Sequence, residues 1–251
     1  MRLVTSLGNE TVKAVRALHL KKARAETGLF LAEGLKIVAE AVDRGCAPKI
    51  LMHGEAAADH PALRRAAGLA AEVLAVTPAI LAKVSRRDNP QMVLGVFEQR
   101  FTALQALPQN KLLLGLEAVR DPGNLGTIVR TSDAAGVGAV ILIGETCDPY
   151  SVEAVRASMG SIFAVPIARA DIDEWLAWRE SWSGTVIGTQ LSATIDFRTP
   201  AYPQASLILL GNEQAGLTPR LAAACDINVK IPMRGRADSL NLAVAAGVMI
   251  Y

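Results

Sequence analysis

Residues 207–251 read LILLGNEQAGLTPRLAAACDINVKIPMRGRADSLNLAVAAGVMIY, and this stretch decides the fold that we expect. It opens with an apolar run that leads directly into Gly211-Asn212-Glu213, a pattern typical of a buried strand that ends in a sharp turn. A second strand is predicted over 226–231, because Pro232 cannot continue a strand ladder. Parallel strands that end side by side form a crevice at the carboxyl edge of a sheet, where α/β proteins bind ligands. The sequence therefore predicts a ligand site between these two turns.

Two helices are predicted in the same stretch. Thr218 followed by Pro219 is typical of a helix start, which predicts a short helix over 219–225. Either Asp238 or Ser239 is expected to cap the last helix. The residues of that helix that recur at three- and four-residue spacing predict a small apolar face that packs closely. They are Leu240, Ala243, Val244, Gly247 and Val248.

The segment 111–189 alternates between strand-like and helix-like patterns. Strands are predicted over 111–116, 139–143, 164–167 and 185–189, and helices over 124–135, 151–159 and 171–179. The fold class that follows is α/β, with a parallel sheet covered on both faces. No strand is followed by G-x-G-x-x-G, and G-x-x-x-x-G-K-[ST] is absent, so the usual dinucleotide and P-loop sites lack their signatures.

The first hundred residues contain basic segments. A helix is predicted over 11–25, where the run of cations is Lys13, Arg16, Lys21, Lys22 and Arg24. Such a face either is an ordinary solvated surface or contacts the phosphates of a nucleic acid. Arg86 and Arg87 leave the same two alternatives open.

The other elements of this half are a strand and a helix within 29–45, strands over 50–52, 72–76 and 92–97, and a helix over 61–70. The expected buried face of the helix that ends at Gly45 comprises Leu35, Val38, Ala39 and Val42.

Composition limits the classes of protein and the compartment. A chain of 251 residues favours two domains, and a net charge of +2 means that a nucleic acid would be bound by a local basic patch. The three cysteines are distant from one another and lack metal-ligand spacing, which argues against disulfides and a zinc site and favours the cytoplasm. No signal peptide or membrane span is expected, since residues 1–20 lack an apolar core and the apolar stretch 66–82 is interrupted.

Three motifs carry a resemblance to a known family. GNEQAGL at 211–217, IPMRGRADSLNLAVAAG at 231–247 and DPGNLGTIVRTSDAAG at 121–136 resemble the motifs of the SpoU (TrmH-like) branch of the SPOUT RNA methyltransferases. The turn Ala32-Glu33-Gly34 and the segment SRRDNPQ at 85–91 resemble the substrate-binding domain that precedes many SpoU catalytic domains. The resemblance implies an RNA-binding domain over 1–100 and a catalytic domain over 111–251 with a C-terminal trefoil knot. The Pro108-containing segment 101–110 is expected to be the linker.

The resemblance implies methyl transfer from S-adenosylmethionine to a ribose 2′-hydroxyl of RNA. The expected cofactor contacts are Gly211, Ile231 and Leu240, with Leu210, Met233 and Thr189 beside them. A catalytic site shared between two protomers, and hence a homodimer, is also implied. No metal is expected.

The hydroxyl must be activated without an imidazole, because all three histidines precede residue 61. By resemblance Arg130 activates the hydroxyl and Asn124 orients it, with both expected near one end of the same helix. Because a guanidinium stays protonated, Arg130 acts either as an assisted base or as a phosphate clamp. Glu213 is a candidate partner of Arg130, and Ser239 and Asn241 are expected to supply orienting hydrogen bonds.

Ribosomal RNA is the favoured substrate. The alternatives that remain are transfer RNA, methylation of a base, and a noncatalytic RNA-binding protein that retains the fold.

Overall fold

The computed structural model describes residues 3–251, which form two compact units. The first comprises residues up to 99 together with 148–164, and the second comprises 100–147 together with 165–251. In the segment 101–110, Leu104 and Leu107 are buried in the core of the second unit. The domain boundaries given above stay a prediction.

The first unit is a mixed five-stranded sheet with helices. Its elements up to residue 99 are β1 (Leu3–Val4), α1 (Glu10–Ala17), α2 (Lys21–Thr27), β2 (Leu29–Glu33), α3 (Leu35–Asp43), β3 (Ile50–His53), α4 (Pro61–Leu69), β4 (Glu72–Val76), α5 (Pro78–Ser85) and β5 (Val93–Glu98), with a 3-10 turn at Glu55–Ala57. The strand order is β1-β4-β3-β5-β2, in which β5 is antiparallel to both β3 and β2. The sequence did not predict β1 or α5.

The predicted turn at Ala32-Glu33-Gly34 is confirmed. Gly34 has φ 106°, a conformation that favours glycine, and α3 begins at the next residue. Glu33 is buried and accepts hydrogen bonds from Arg156, and burial raises the pKa of its carboxyl group despite that partner. The predicted buried face of α3 is partly wrong, because the buried residues are Ile37, Val38 and Ala41.

The basic segment 11–25 forms two helices rather than one. The chain turns at residues 18–20, where Leu20 precedes α2 in an extended conformation. Val12, Val15 and Leu18 form the buried side of this segment.

Arg24 does not belong to the basic face that was predicted for residues 11–25. Its side chain is 4% exposed, and its Nε donates to Asp148 at 2.8 Å while a terminal nitrogen donates to the Leu18 carbonyl. A buried guanidinium needs such partners because an unpaired charge in the interior is costly. Arg24 therefore belongs to the interior, and the exposed cations of this segment are Lys13, Arg16, Lys21 and Lys22.

The second unit is a seven-stranded parallel sheet with helices on it. The elements from residue 100 onward are β6 (Leu113–Glu117), α6 (Pro122–Ala134), β7 (Ala139–Ile143), α7 (Val152–Ser158, in the first unit), β8 (Ile167–Ala170), α8 (Ile172–Ser181), β9 (Thr185–Thr189), β10 (Ile195–Asp196), β11 (Ser206–Leu210), α9 (Pro219–Ala223), β12 (Ile227–Lys230) and α10 (Leu242–Ile250), with 3-10 turns at Leu104–Ala106 and Ser161–Phe163. The order is β10-β12-β9-β11-β6-β7-β8, and every pairing is parallel. The α/β class with a parallel sheet is thus confirmed.

The order of the strands places a switch point in the middle of this sheet. From β6 the chain adds β7 and then β8 on one side of the sheet. It then crosses to the other side of β6 to form β9, and β11 later pairs between β9 and β6. Ligand sites in such sheets lie outside the carboxyl ends of the strands at the point where the order reverses. Here that point is the end of β11.

The predicted strand over 164–167 is wrong. Residues 161–163 form a 3-10 turn, and β8 begins only at Ile167. The apolar run from Ile162 to Ile167 gave no periodicity that separates a turn from a strand. The helix predicted over 151–159 does form as α7, and its Val152 packs in the core of the first unit.

Candidate functional site

The turn after β11 is closed by its own hydrogen bonds. The amide of Asn212 donates to the Gly216 carbonyl at 3.0 Å, and the Gly216 amide donates back to Asn212 at 2.9 Å. The Asn212 side chain accepts from the amides of Gln214 and Ala215 and donates to the Ala118 carbonyl at 2.9 Å. One side chain therefore both shapes this turn and ties it to the end of β6.

Gly211 packs against the other side of the same turn. A Cβ added there would lie 2.0 Å from the carbonyl carbon of Gly216 and 2.1 Å from the Leu217 nitrogen. Only glycine permits this approach of two backbone segments. The predicted sharp turn is therefore confirmed, and its glycine is required by close contact.

A buried carboxylate supports the base of the turn. Glu117, the last residue of β6, is 2% exposed and accepts a hydrogen bond from the Thr218 amide at 2.8 Å. Glu117 and the side chain of Asn212 were not among the predicted site residues. The available signal was an acidic residue at the end of an otherwise apolar strand, since a carboxylate is buried only with a partner.

The last helix begins later than predicted. Its N-cap is Asn241, whose side-chain oxygen accepts from the amides of Ala243 and Val244, so Asp238 and Ser239 lie in the preceding loop. Of the predicted face, only Ala243 is buried within the protomer. Val244 and Val248 are 52% and 37% exposed, whereas the buried side is formed by Leu242, Ala243, Ala246 and Met249.

The two turns enclose one cavity of about 670 Å³. All six predicted cofactor residues line it, namely Thr189, Leu210, Gly211, Ile231, Met233 and Leu240. Glu213 and Ser239 line it as well. The volume is within the range of sites that hold a drug-sized ligand. The sequence prediction that the turns at 211 and 233 share a cleft is confirmed.

One wall atom of the cavity lacks a partner. The Thr189 hydroxyl is buried and, within residues 3–251, has no hydrogen bond. Buried polar groups are nearly always paired, so an orphaned hydroxyl in a cavity wall suits a ligand that supplies the partner.

The remaining predicted site residues lie outside the cavity lining. The Asn241 side-chain amide donates to the Asn124 side-chain oxygen at 2.9 Å, which joins the starts of α10 and α6. Asn124 lies within the first turn of α6, which Asp121 caps, so α6 begins before the predicted residue 124.

Arg130 lies further along α6. It follows Asn124 by six positions, a rise of about 9 Å, so the two are not at one end of the helix as predicted. Arg130 is exposed, and within residues 3–251 it forms no hydrogen bond or ion pair. The predicted contact with Glu213 is absent from the described residues; the Glu213 carboxylate instead accepts a hydrogen bond from the Asn212 side-chain amide at 3.3 Å.

The Cys225 thiol, which packs against Gly188 of β9, is not an activated nucleophile. Burial, followed by the charge of Asp226, raises the pKa of Cys225 to about 12, so the thiol stays protonated at neutral pH.

Within residues 3–251, no group of three potential ligands could hold a metal ion. No helix among those residues is both long enough and apolar enough to cross a membrane.

Two models of known protein families match the chain. The model described as SpoU rRNA Methylase family matches residues 111–251, and the model described as MRM3-like substrate binding domain matches residues 9–95.

Curated relatives match along the whole chain. A 23S rRNA (guanosine(2553)-2′-O)-methyltransferase of Bacillus subtilis is 32% identical and is matched over 100% of this chain and 98% of the relative. A 23S rRNA (uridine(2479)-2′-O)-methyltransferase of Streptomyces viridochromogenes is 31% identical, over 100% of this chain and 91% of the relative.

Solved structures also match over nearly the whole chain. An AdoMet-bound rRNA methyltransferase from Sinorhizobium meliloti is 45% identical with a TM-score of 0.93, covering 99% of this chain and 95% of that one. The SpoU methyltransferase AviRb from Streptomyces viridochromogenes is 29% identical with a TM-score of 0.87, covering 97% and 95%.

The sheet and its cavity define an α/β protein that binds a ligand at the switch point of a parallel sheet. With the matches above, the chain belongs to the SpoU rRNA methylase family.

Proposed function

We propose that the protein transfers a methyl group from S-adenosylmethionine to a ribose 2′-hydroxyl of ribosomal RNA. The observation that carries this proposal is the cavity, which is lined by all six residues that the family resemblance placed at or beside the cofactor. The relatives named as 2′-O-methyltransferases of 23S rRNA support the substrate class.

The cavity suits an adenosine-containing donor. Its wall combines apolar side chains, such as Leu210 and Ile231, with closely approaching backbone at Gly211. Backbone amides and carbonyls at strand ends can hydrogen bond the edge of a base, and the Thr189 hydroxyl provides one further polar group without a partner. When bound, S-adenosylmethionine supplies the electrophilic methyl group.

The acceptor side is assigned to Arg130, Asn124, Glu213, Ser239 and Asn241. We assign Arg130 to clamping a phosphate beside the target ribose, because its guanidinium stays protonated and carries a planar set of donors. The hydrogen bond between Asn241 and Asn124 fixes two amides at the start of α6. Glu213 and Ser239 lie in the cavity wall, where they can orient the hydroxyl.

We propose a homodimer in which each site receives Arg130 from the partner protomer. The helix α10 reads LAVAAGVMI and contains no charged residue, although Val244 and Val248 on it are exposed. It packs against α6, where a Cβ at Gly247 would lie 3.8 Å from the Thr131 methyl group. Exposed apolar surface beside an unpaired Arg130 fits an interface that completes the site.

Changing Val244 to glutamate should disrupt this dimer. The carboxylate would be buried twice in a two-fold interface, and we expect dimer affinity to fall by about a hundredfold. Light scattering during size-exclusion chromatography measures the mass. Leu69→Glu is the matched control, since Leu69 is 55% exposed in the first unit. A dimer that persists in V244E, or is equally weakened in L69E, contradicts the proposed interface.

The first unit is assigned to RNA binding. Its exposed cations Lys13, Arg16, Lys21 and Lys22, with Arg86 and Arg87, can neutralise backbone phosphates without reading sequence.

The trefoil knot remains an expectation from the family. The cysteines are free thiols, which is consistent with action in the cytoplasm.

The experiment that tests the function is methylation of purified RNA. The protein is mixed with methyl-labelled S-adenosylmethionine and with ribosomal or transfer RNA in separate reactions, and the labelled RNA is digested with nucleases. We expect the label in 2′-O-methylated nucleosides from ribosomal RNA, and resistance of the adjacent bond to alkali. Label on a free base would show that the base and not the ribose is methylated. Label on transfer RNA only would show that transfer RNA and not ribosomal RNA is the substrate. Folded, donor-binding protein that labels no RNA would indicate a noncatalytic protein.

A further inference from the structure

The arginines of the second unit divide into two groups. Five have interaction partners. Three form ion pairs: Arg179 with Asp226, Arg198 with Asp196, and Arg220 with Asp173. The guanidinium group of Arg169 lies over the Phe101 ring, and Arg100 also takes part in an interaction. The other four are exposed and form no hydrogen bond or ion pair within residues 3–251. They are Arg120, Arg130, Arg234 and Arg236.

Exposure does not account for this division. Arg220 is 60% exposed and still pairs with Asp173 at 2.6 Å. The unpaired arginines share a place in the fold instead. Arg120 follows β6, and Arg234 and Arg236 follow β12, so all three lie beyond carboxyl ends of parallel strands. Arg130 is already part of the proposed catalytic set.

The three arginines lie on two sides of the cavity. The strands β9 and β11, whose ends line the cavity, separate β12 from β6. Three strand spacings give about 14 Å between the ends of β12 and β6. The strand ends that precede these cations therefore lie at a separation that a few nucleotides of one RNA strand can span.

Nearby carboxylates are already engaged. Asp121, beside Arg120, accepts the Asn124 amide at 2.6 Å, and Asp238 accepts the Ser239 hydroxyl at 3.3 Å. The pKa of Asp196 is lowered to about 2, mainly by its hydrogen bonds with Arg198 and least by the more distant charge of Arg234. Within residues 3–251 the guanidinium groups of Arg120, Arg234 and Arg236 form no hydrogen bond or ion pair, so their donors are available to an external anion.

We propose that Arg120 on one side, and Arg234 with Arg236 on the other, hold backbone phosphates of the RNA strand that presents its ribose to the cavity. This inference rests on the proposed function and names the residues that position its substrate. Guanidinium groups suit phosphates because their donors are arranged for two parallel hydrogen bonds. Such contacts position a strand without reading its bases.

The test is the salt dependence of RNA binding. Dissociation constants for a ribosomal RNA substrate of the wild type are measured between about 50 and 200 mM salt, alongside Arg120→Gln, the double variant Arg234→Gln with Arg236→Gln, and Arg220→Gln. Each phosphate contact on a single strand contributes about 0.7 to the slope of log affinity against log salt. We expect the slope to become shallower by about 0.7 for R120Q and about 1.4 for the double variant.

The control R220Q removes the same charge from an arginine that already has a partner, and it should keep the wild-type slope. Equal slopes in R220Q and R120Q would mean that overall charge is responsible, and this would overturn the proposal. Wild-type slopes in R120Q and in the double variant would overturn it too, while leaving the proposed function intact if methyl transfer is observed. The dissociation constant for S-adenosylmethionine should not change in any of the variants, because none of these side chains lines the cavity. Thermal unfolding should change little, because the ion pair that R220Q removes is exposed and such pairs contribute little stability.

Discussion

Replacing Gly211 by alanine is expected to abolish donor binding. The new Cβ would lie 2.0 Å from the Gly216 carbonyl carbon, and both the carbon and its neighbour at 2.1 Å are backbone atoms that no side-chain rotation can move. The turn over residues 212–216 would have to open, which removes one wall of the cavity. We expect the dissociation constant for S-adenosylmethionine, measured by calorimetry, to rise by at least about a hundredfold, equivalent to about 2.7 kcal/mol.

Gly235→Ala is the matched control for this experiment. No atom lies within 4 Å of a Cβ built at Gly235, and its φ is outside the left-handed region, so the same chemical change should leave donor affinity unaltered. Circular dichroism and thermal unfolding distinguish loss of the cavity from loss of the fold. If G211A binds the donor as well as wild type does, the turn at Gly211 is not part of the donor site.

Replacing Arg130 by alanine is expected to leave donor affinity unchanged and to lower kcat by about a thousandfold. The arginine lies outside the cavity lining, so the donor loses no contact. The RNA loses the group that holds a phosphate beside its ribose, and misplaced reactants cost several kcal/mol of barrier. Single-turnover methylation, with calorimetry for the donor, separates the two effects. Arg130→Lys should recover only part of the rate, because lysine lacks the planar donor set. An R130A protein of normal rate would refute the assignment.

Mixing R130A and G211A protomers tests whether the site is shared. A heterodimer has one intact cavity, on the R130A protomer, and receives Arg130 from the G211A partner. Random exchange should therefore restore about a quarter of wild-type activity. If Arg130 serves the cavity of its own chain, no heterodimer has a complete site and the mixture stays inactive. Sedimentation confirms beforehand that both variants are dimers.

The predictable part of the site depends on strand ends. Runs of apolar residues located β9, β11 and β12 to within one or two residues, and parallel strands bring their carboxyl ends to one edge of the sheet. The residues after those strands, such as Gly211 and Met233, therefore had to meet. For the same reason, the motif residues predicted where the cavity lies.

The errors come from places where local pattern is ambiguous. Asp238, Ser239 and Asn241 are all good N-cap residues, and which one caps α10 depends on the contact of Asn241 with Asn124, 117 positions away. Because α10 is apolar on all sides, its sequence could not show which face is buried.

Distant partners cause the other corrections. Arg24 looked like one more cation of a basic segment, and its burial depends on Asp148, which lies 124 residues later in the chain. The support that Glu117 gives to Thr218 likewise spans 101 residues. No local pattern contains such pairs, so only the folded chain reveals them.

A crystal structure with S-adenosylhomocysteine bound tests the central claim most directly. We expect the adenosine to lie between the turns that begin at Gly211 and Met233, with Thr189 Oγ1 hydrogen bonded to the ligand and the sulfur directed toward Arg130 of the partner protomer. Ligand bound elsewhere, or a cavity that remains closed to it while binding is measured in solution, would contradict the account.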